Sequence, residues 1–192
     1  LNRYKLKQAN SGYSMKNRLI HLFSSFCLSI VCVFNASADT EKTGDILQLL
    51  IPSAAFASTF YMDDAEGRTA FYKSFTTNLV STYGLKKMVG KQRPNNGNKD
   101  SFPSGHTSAA FQGASFIHFR YGWKYAVPAY LGAAFVGYSR VDAEKHYTVD
   151  VLAGATLGIL SSWYFTEPFD NGLKIQADLR GNYYGLTLDY QW

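Results

Sequence analysis

PSGHTSAAFQGASFIHF, residues 103–119, is the stretch that decides the fold. Pro103 closes a turn and Ser104 is a standard N-cap residue, so a helix is expected from 104 to 119. Ser104, Gly105 and His106 stand at its start, where backbone N–H groups have no intrahelical partner and the dipole favours an anion. A glycine there lets the backbone approach a ligand without a Cβ between them. Taken singly these are ordinary features, since a Ser after Pro is usually only a cap and a His before an apolar helix is often structural.

Working outward, the pattern stays helical. Lys91 to Pro103 is a loop rich in Pro, Asn and Gly. Before it, residues 68–90 form an amphipathic segment carrying Phe71, Tyr72, Phe75, Leu79, Val80, Tyr83 and Met88. Ile46 to Met62 is a mostly apolar run, with Pro52 at a kink or early turn. Asp63, Asp64 and Glu66 mark the break between the two. Downstream, helices are expected at 124–138 and 146–165. Gly113, Ala114, Gly132, Ala133, Ala134, Gly154 and Gly158 allow close helix contacts. The fold class is mainly α, a compact helical body over residues 39–169. Ile46–Met62 and Val151–Phe165 are shorter than the roughly 20 residues of a comfortable span. Docking on a membrane surface is therefore favoured over a multi-span arrangement.

The tail changes period. Leu173, Ile175, Ala177 and Leu179 alternate with polar residues, and after Gly181-Asn182 so do Tyr184, Leu186, Leu188, Tyr190 and Trp192. A C-terminal β-hairpin over 170–192 is expected, with its apolar face on the helical body.

The formal charge of +5 is a property of the leader. Residues 1–38 hold Arg3, Lys5, Lys7, Lys16 and Arg18 and no acid. With those five set aside, nineteen basic residues become fourteen, equal to the fourteen acids. A general nucleic-acid-binding role loses its support. Met15 to Arg18 is a basic n-region, Leu19 to Phe34 an apolar stretch, and Asn35-Ala36-Ser37-Ala38 a peptidase site. A start at Met15, cleavage after Ala38 and export to a bacterial periplasm, or to the periplasmic face of a membrane, are expected. Cys27 and Cys32 both lie in this leader, so residues 39–192 contain no thiol.

Three clusters gain meaning together: Lys86 with Arg93-Pro94, then Pro103-Ser104-Gly105-His106, then Ser139-Arg140 with His146 and Asp150. In spacing and order they resemble the three-part signature of the type 2 phosphatidic acid phosphatase (PAP2) and vanadium haloperoxidase superfamily, over residues 44–166. The resemblance implies a metal-independent phosphatase with no cofactor. Its substrate is a phosphate ester or pyrophosphate, with a lipid phosphate favoured. Lys86, Arg93, Ser104, Gly105 and Arg140 would bind phosphate. His146 would be the nucleophile that forms a phosphohistidine, and His106 would protonate the leaving group and then activate water. Asp150 would hold the other imidazole nitrogen of His146, the two being four residues apart on one helical face.

The residue chemistry agrees with these roles. Phosphoryl transfer is mostly positioning and electrostatic stabilisation, and guanidinium forks match phosphate oxygens. A metal site built on the two histidines and the aspartate ranks lower, because the nearby cations would repel a divalent ion. The alternatives are a vanadate-dependent haloperoxidase, a non-specific soluble acid phosphatase, and a non-catalytic envelope lipid-binding protein. His118 is read as structural or exposed, and Asp142 and Glu144 as solvated.

Overall fold

The computed structural model describes residues 39–169 continuously, with scattered positions between 17 and 28 and the backbone of 173–180 and 183–190. Five helices make up the continuous part. They are α1 (Thr40–Tyr61), α2 (Ala65–Val89), α3 (Gly105–Tyr121), α4 (Trp123–Asp142) and α5 (Thr148–Phe165). Most of the leader, its expected cleavage site and the apolar face of the tail lie outside the described residues. In the tail, the backbone of Leu173–Arg180 runs antiparallel to that of Tyr183–Tyr190.

The ends of the helices follow from local chemistry. Asp39 caps α1, its carboxylate accepting from the Glu41 N–H at 2.9 Å. The expected break falls where the acids stand: α1 ends at Tyr61, Asp63 turns with φ +53°, and Asp64 caps α2 through the Gly67 N–H at 2.8 Å. Gly90 ends α2 in the left-handed region at φ +57°, where a side chain would be strained. Gly122, at φ +100°, turns α3 directly into α4.

Helix α3 is the centre, packed by each of the other four. Leu47, Ile51 and Ala55 of α1 are buried against Ala110, Ala114, Phe116 and Ile117 of α3 and against Ala126, Ala129, Ala133 and Val136 of α4. Helix α5 contributes small residues instead. Gly154 and Gly158 lie flush on the α3 backbone, where a Cβ would overlap the Ser104 and Ser108 carbonyl oxygens. Gly113 plays the same part for α1, with Pro52 backbone atoms 2.7 Å from where its Cβ would stand.

Between α2 and α3 the packing is polar. Thr82 and Ser108 hydroxyls pair at 2.9 Å, Ser108 donates to Asn78 Oδ1 at 2.6 Å, and Gln112 donates to Ser74 at 3.0 Å. Among the described residues no helix is long and apolar enough to cross a membrane.

The alternating directions of the helices gather one set of termini at one end. These are the starts of α1, α3 and α5 and the finishes of α2 and α4. All three sequence clusters sit at that end.

Candidate active site

A cavity of about 460 Å³ opens at this end of the bundle. Lys86 from the last turn of α2, Arg93 and Asp100 from the following loop, Gly105 and His106 from the start of α3, and His146 from the turn before α5 all line it. Leu49, Pro52, Phe75, Leu79 and Tyr83 form an apolar flank, of which Leu49, Leu79 and Tyr83 are exposed. The imidazoles of residues 106 and 146 thus meet around one space.

Backbone bonds fix the loops that carry these groups. Ser101 N–H donates to the Lys91 carbonyl at 2.9 Å, closing the 91–101 loop. The N–H groups of Lys145 and His146 donate to the Arg140 carbonyl at 3.1 and 3.2 Å. The turn bearing His146 is therefore built directly on Arg140.

His146 is buried, and its Nδ1 donates to the Ser101 carbonyl at 2.6 Å. A carbonyl only accepts, so the neutral ring carries its proton on Nδ1 and keeps a lone pair on Nε2. Burial, then the charge of Lys86, push its pKa down to about 4. The ring is neutral at physiological pH.

Asp150 is placed differently from the sequence expectation. Its carboxylate accepts from Lys91 Nζ at 2.6 Å, Ser101 Oγ at 2.5 Å and the Tyr147 N–H at 3.0 Å, while Ser101 supplies the Nδ1 partner of His146. The reason is local: α5 starts at Thr148, so His146 precedes the helix and the four-residue spacing does not set both side chains on one face. Asp150 instead turns back to cap the start of α5 and reaches His146 through Ser101. Burial works to raise its pKa, but the bonds from Lys91 and Ser101 outweigh that and hold it below the usual carboxylate value.

The phosphate-binding candidates also divide. Lys86 donates to the Asp100 carbonyl at 2.5 Å, and burial depresses its pKa. Arg93 holds the Asp100 carboxylate through Nε at 2.8 Å and Nη2 at 3.3 Å. Ser104 is fully buried, with its N–H on the Asp150 carbonyl at 2.9 Å and its hydroxyl on Thr107 at 2.9 Å. Its N–H is therefore engaged, contrary to the expectation that it faces an anion. No side chain caps α3, which leaves the N–H groups of Gly105 and His106 for that purpose. A Cβ on Gly105 would come no closer than 3.7 Å to protein, so protein packing does not require glycine there.

Arg140 is buried, with Nη1 on Asp45 Oδ1 at 2.7 Å and Nη2 on the Glu41 carbonyl at 2.7 Å. Gly44 lets this happen: a Cβ there would collide with the Ser139 side chain and stand 2.8 Å from Arg140 Nη2. His106 Nε2 lies 3.2 Å from the same Asp45 oxygen. Burial and then Arg140 lower the His106 pKa, and Asp45 opposes both.

Asp45, Asp100, Ser101 and Lys91 escaped the sequence reading. Ser101 and Asp100 stand within five residues of Gly105, and that proximity was the one available signal. His118 lies away from the cavity, stacked on Phe119 and edge-on to Trp123. Among the described residues no group of three or more His, Cys, Asp or Glu is placed to hold a metal ion.

Comparison with known proteins gives the family. The PAP2 superfamily model matches residues 19–171. The lipid A 4'-phosphatase of Helicobacter pylori is 31% identical over 173 residues, covering 79% of this chain and 85% of that protein. The lipid A 1-phosphatase of Porphyromonas gingivalis is 42% identical over 114 residues, covering 54% of this chain and 26% of the longer relative. The crystal structure of Aquifex aeolicus LpxE shares the fold with a TM-score of 0.56 and 22% identity, over 70% of this chain and 90% of that one. The chain belongs to the PAP2 superfamily.

Proposed function

We propose that this PAP2 phosphatase hydrolyses the phosphate ester of a lipid-like substrate, without a metal, through a phosphohistidine on His146. The observation that carries the reading is the pairing of two imidazoles in one cation-lined cavity, with His146 held through Nδ1. Its Nε2 attacks phosphorus while the bond to the leaving oxygen breaks, and His106 gives that oxygen a proton. Water then attacks the phosphohistidine, His106 takes its proton, and the P–N bond breaks to release inorganic phosphate. Lys86, Arg93 and the N–H groups of Gly105 and His106 stabilise the equatorial oxygens in both steps. Asp150 steadies His146 through Ser101.

A lipid-like substrate is supported by the exposed apolar flank of Leu49, Leu79 and Tyr83 beside the cations. The named substrates of the Helicobacter and Porphyromonas relatives point the same way. Action outside the cytoplasm, at a membrane surface, is supported by the leader pattern in residues 15–38.

The test is a turnover screen of lipid A, phosphatidic acid, undecaprenyl pyrophosphate and p-nitrophenyl phosphate, with rapid quenching to trap the enzyme adduct. An acid-labile, base-stable phosphoenzyme, absent in His146→Ala, is expected, with lipid phosphates preferred. An adduct on serine would refute the mechanism. A preference for p-nitrophenyl phosphate would refute the substrate class.

A further inference from the structure

We infer that Asp45 is a positioning residue for the acid–base histidine, binding His106 at Nε2 so that His106 exchanges its proton with the leaving group from Nδ1. The inference rests on the phosphoryl-transfer reading and deepens it. Asp45 stands in the first turns of α1, sixty-one positions before His106 and ninety-five before Arg140. One carboxylate oxygen serves both, 3.2 Å from His106 Nε2 and 2.7 Å from Arg140 Nη1. Arg140 also donates from Nη2 to the Glu41 carbonyl and from Nε to Ser139 Oγ, so Asp45 is fixed by a guanidinium that is itself held in place.

The geometry answers a difficulty that the site otherwise has. A general acid must carry its proton at working pH, yet His106 is half-buried and ringed by cations. Arg140 of α4 and Arg93 of the loop both act on it, and Lys86 of α2 lines the same cavity. Against them stand Asp45 from α1 and, across the cavity, Asp100 held by Arg93. His146 faces the same cavity as a neutral ring, and Tyr83 of α2 also lines it. Asp45 is thus the carboxylate in contact with the ring that keeps an imidazolium favourable. Because it holds Nε2, Nδ1 is the nitrogen left for chemistry. No other described residue bonds Nδ1. The two histidines are then held in opposite senses, His146 by Nδ1 and His106 by Nε2.

The experiment compares kcat/KM from pH 4 to 10 for wild type, Asp45→Asn and Asp45→Glu. It uses dodecyl phosphate, whose alkoxide needs a proton to leave, and p-nitrophenyl phosphate, whose phenolate does not. Asp45→Asn is expected to move the basic limb about one unit toward acid for dodecyl phosphate. At pH 7.5 it should lose about 10-fold on that substrate and less than about 3-fold on the aryl ester, with partial recovery in Asp45→Glu. Far-ultraviolet circular dichroism establishes that each variant is folded. Should Asp45→Asn misfold, Asp45→Glu carries the test, with a smaller limb shift in the same direction expected. An unmoved basic limb, or equal losses on both substrates, would overturn the proposal and leave Asp45 as an anchor for Arg140. Wild-type protein inert on both substrates, or His146→Ala as active as wild type, would instead overturn the phosphoryl-transfer reading and this proposal with it.

Discussion

Replacing Gly158 by Ala tests the packing that joins α5 to α3, and the sign of its effect is set by the structure. The added Cβ would stand 2.7 Å from the Gln112 nitrogen and 3.1 Å from the Phe111 carbonyl carbon, besides overlapping the Ser108 carbonyl oxygen. All three belong to helix backbone, which cannot rotate aside. Restoring an ordinary contact of 3.4 Å to the Gln112 nitrogen alone requires α5 to withdraw by about 0.7 Å. Overpacking of this kind costs roughly 1–3 kcal/mol, while Ala gains about 1 kcal/mol over Gly in helix propensity. The net loss is up to about 2 kcal/mol, or up to roughly 8 °C in Tm for a domain of this size. Gly84→Ala is the matched control, because nothing lies within 4 Å of its Cβ position in the interior of α2. It should gain about 0.5–1 kcal/mol. Thermal and urea unfolding of the two variants, followed by circular dichroism, give the comparison. A Gly158→Ala protein as stable as Gly84→Ala would refute the close approach of α5 to α3.

Two further outcomes concern the cavity. Asp100→Asn removes the carboxylate that competes with an incoming anion for the Arg93 fork, and the pair is solvent-screened, so vanadate inhibition should tighten by only about 5-fold, roughly 1 kcal/mol; a weaker Ki would show that Asp100 organises Arg93 instead. The acid limb of kcat/KM should lie near pH 4, because protonation of the depressed His146 removes its nucleophilic lone pair only as pH falls through that value, and Lys86→Met should raise the limb by removing a charge that opposes the imidazolium. A limb near 6.5 in the wild type, or one unmoved in Lys86→Met, would contradict the placement.

The helical body was legible because its punctuation is local. Asp64, Gly90 and Gly122 stop or start helices by their own side chains or lack of them, and Gly113, Gly154 and Gly158 mark the close crossings by composition. The clusters around Lys86, His106 and His146 were legible as spacing, and the fold brings them to one end. What stayed hidden depends on which atoms of a residue are used. The Ser101 carbonyl that holds His146 is a backbone group that any residue could supply, and Ser104 looked like a free donor until its N–H met the Asp150 carbonyl. The bond expected between Asp150 and His146 failed because the helix begins two residues after His146. Asp45 was invisible for a simpler reason: a lone acid ahead of an apolar run carries no periodic signal, and its partners are more than sixty positions away.

The bundle end remote from the cavity is fastened as firmly as the other is equipped. Arg120 grips Asp64 through Nε at 2.7 Å and Nη2 at 2.5 Å, and Tyr121 adds its hydroxyl to the same carboxylate at 3.0 Å. The same guanidinium donates to the Glu167 carbonyl at 3.0 Å, and Phe169 N–H donates to the Arg120 carbonyl at 2.7 Å. Along α2 this clasp lies about 33 Å from Lys86. The chain at residue 169 is thus tied to the end of the bundle farthest from the cavity, and replacing the sequence beyond it is expected to leave kcat/KM unchanged.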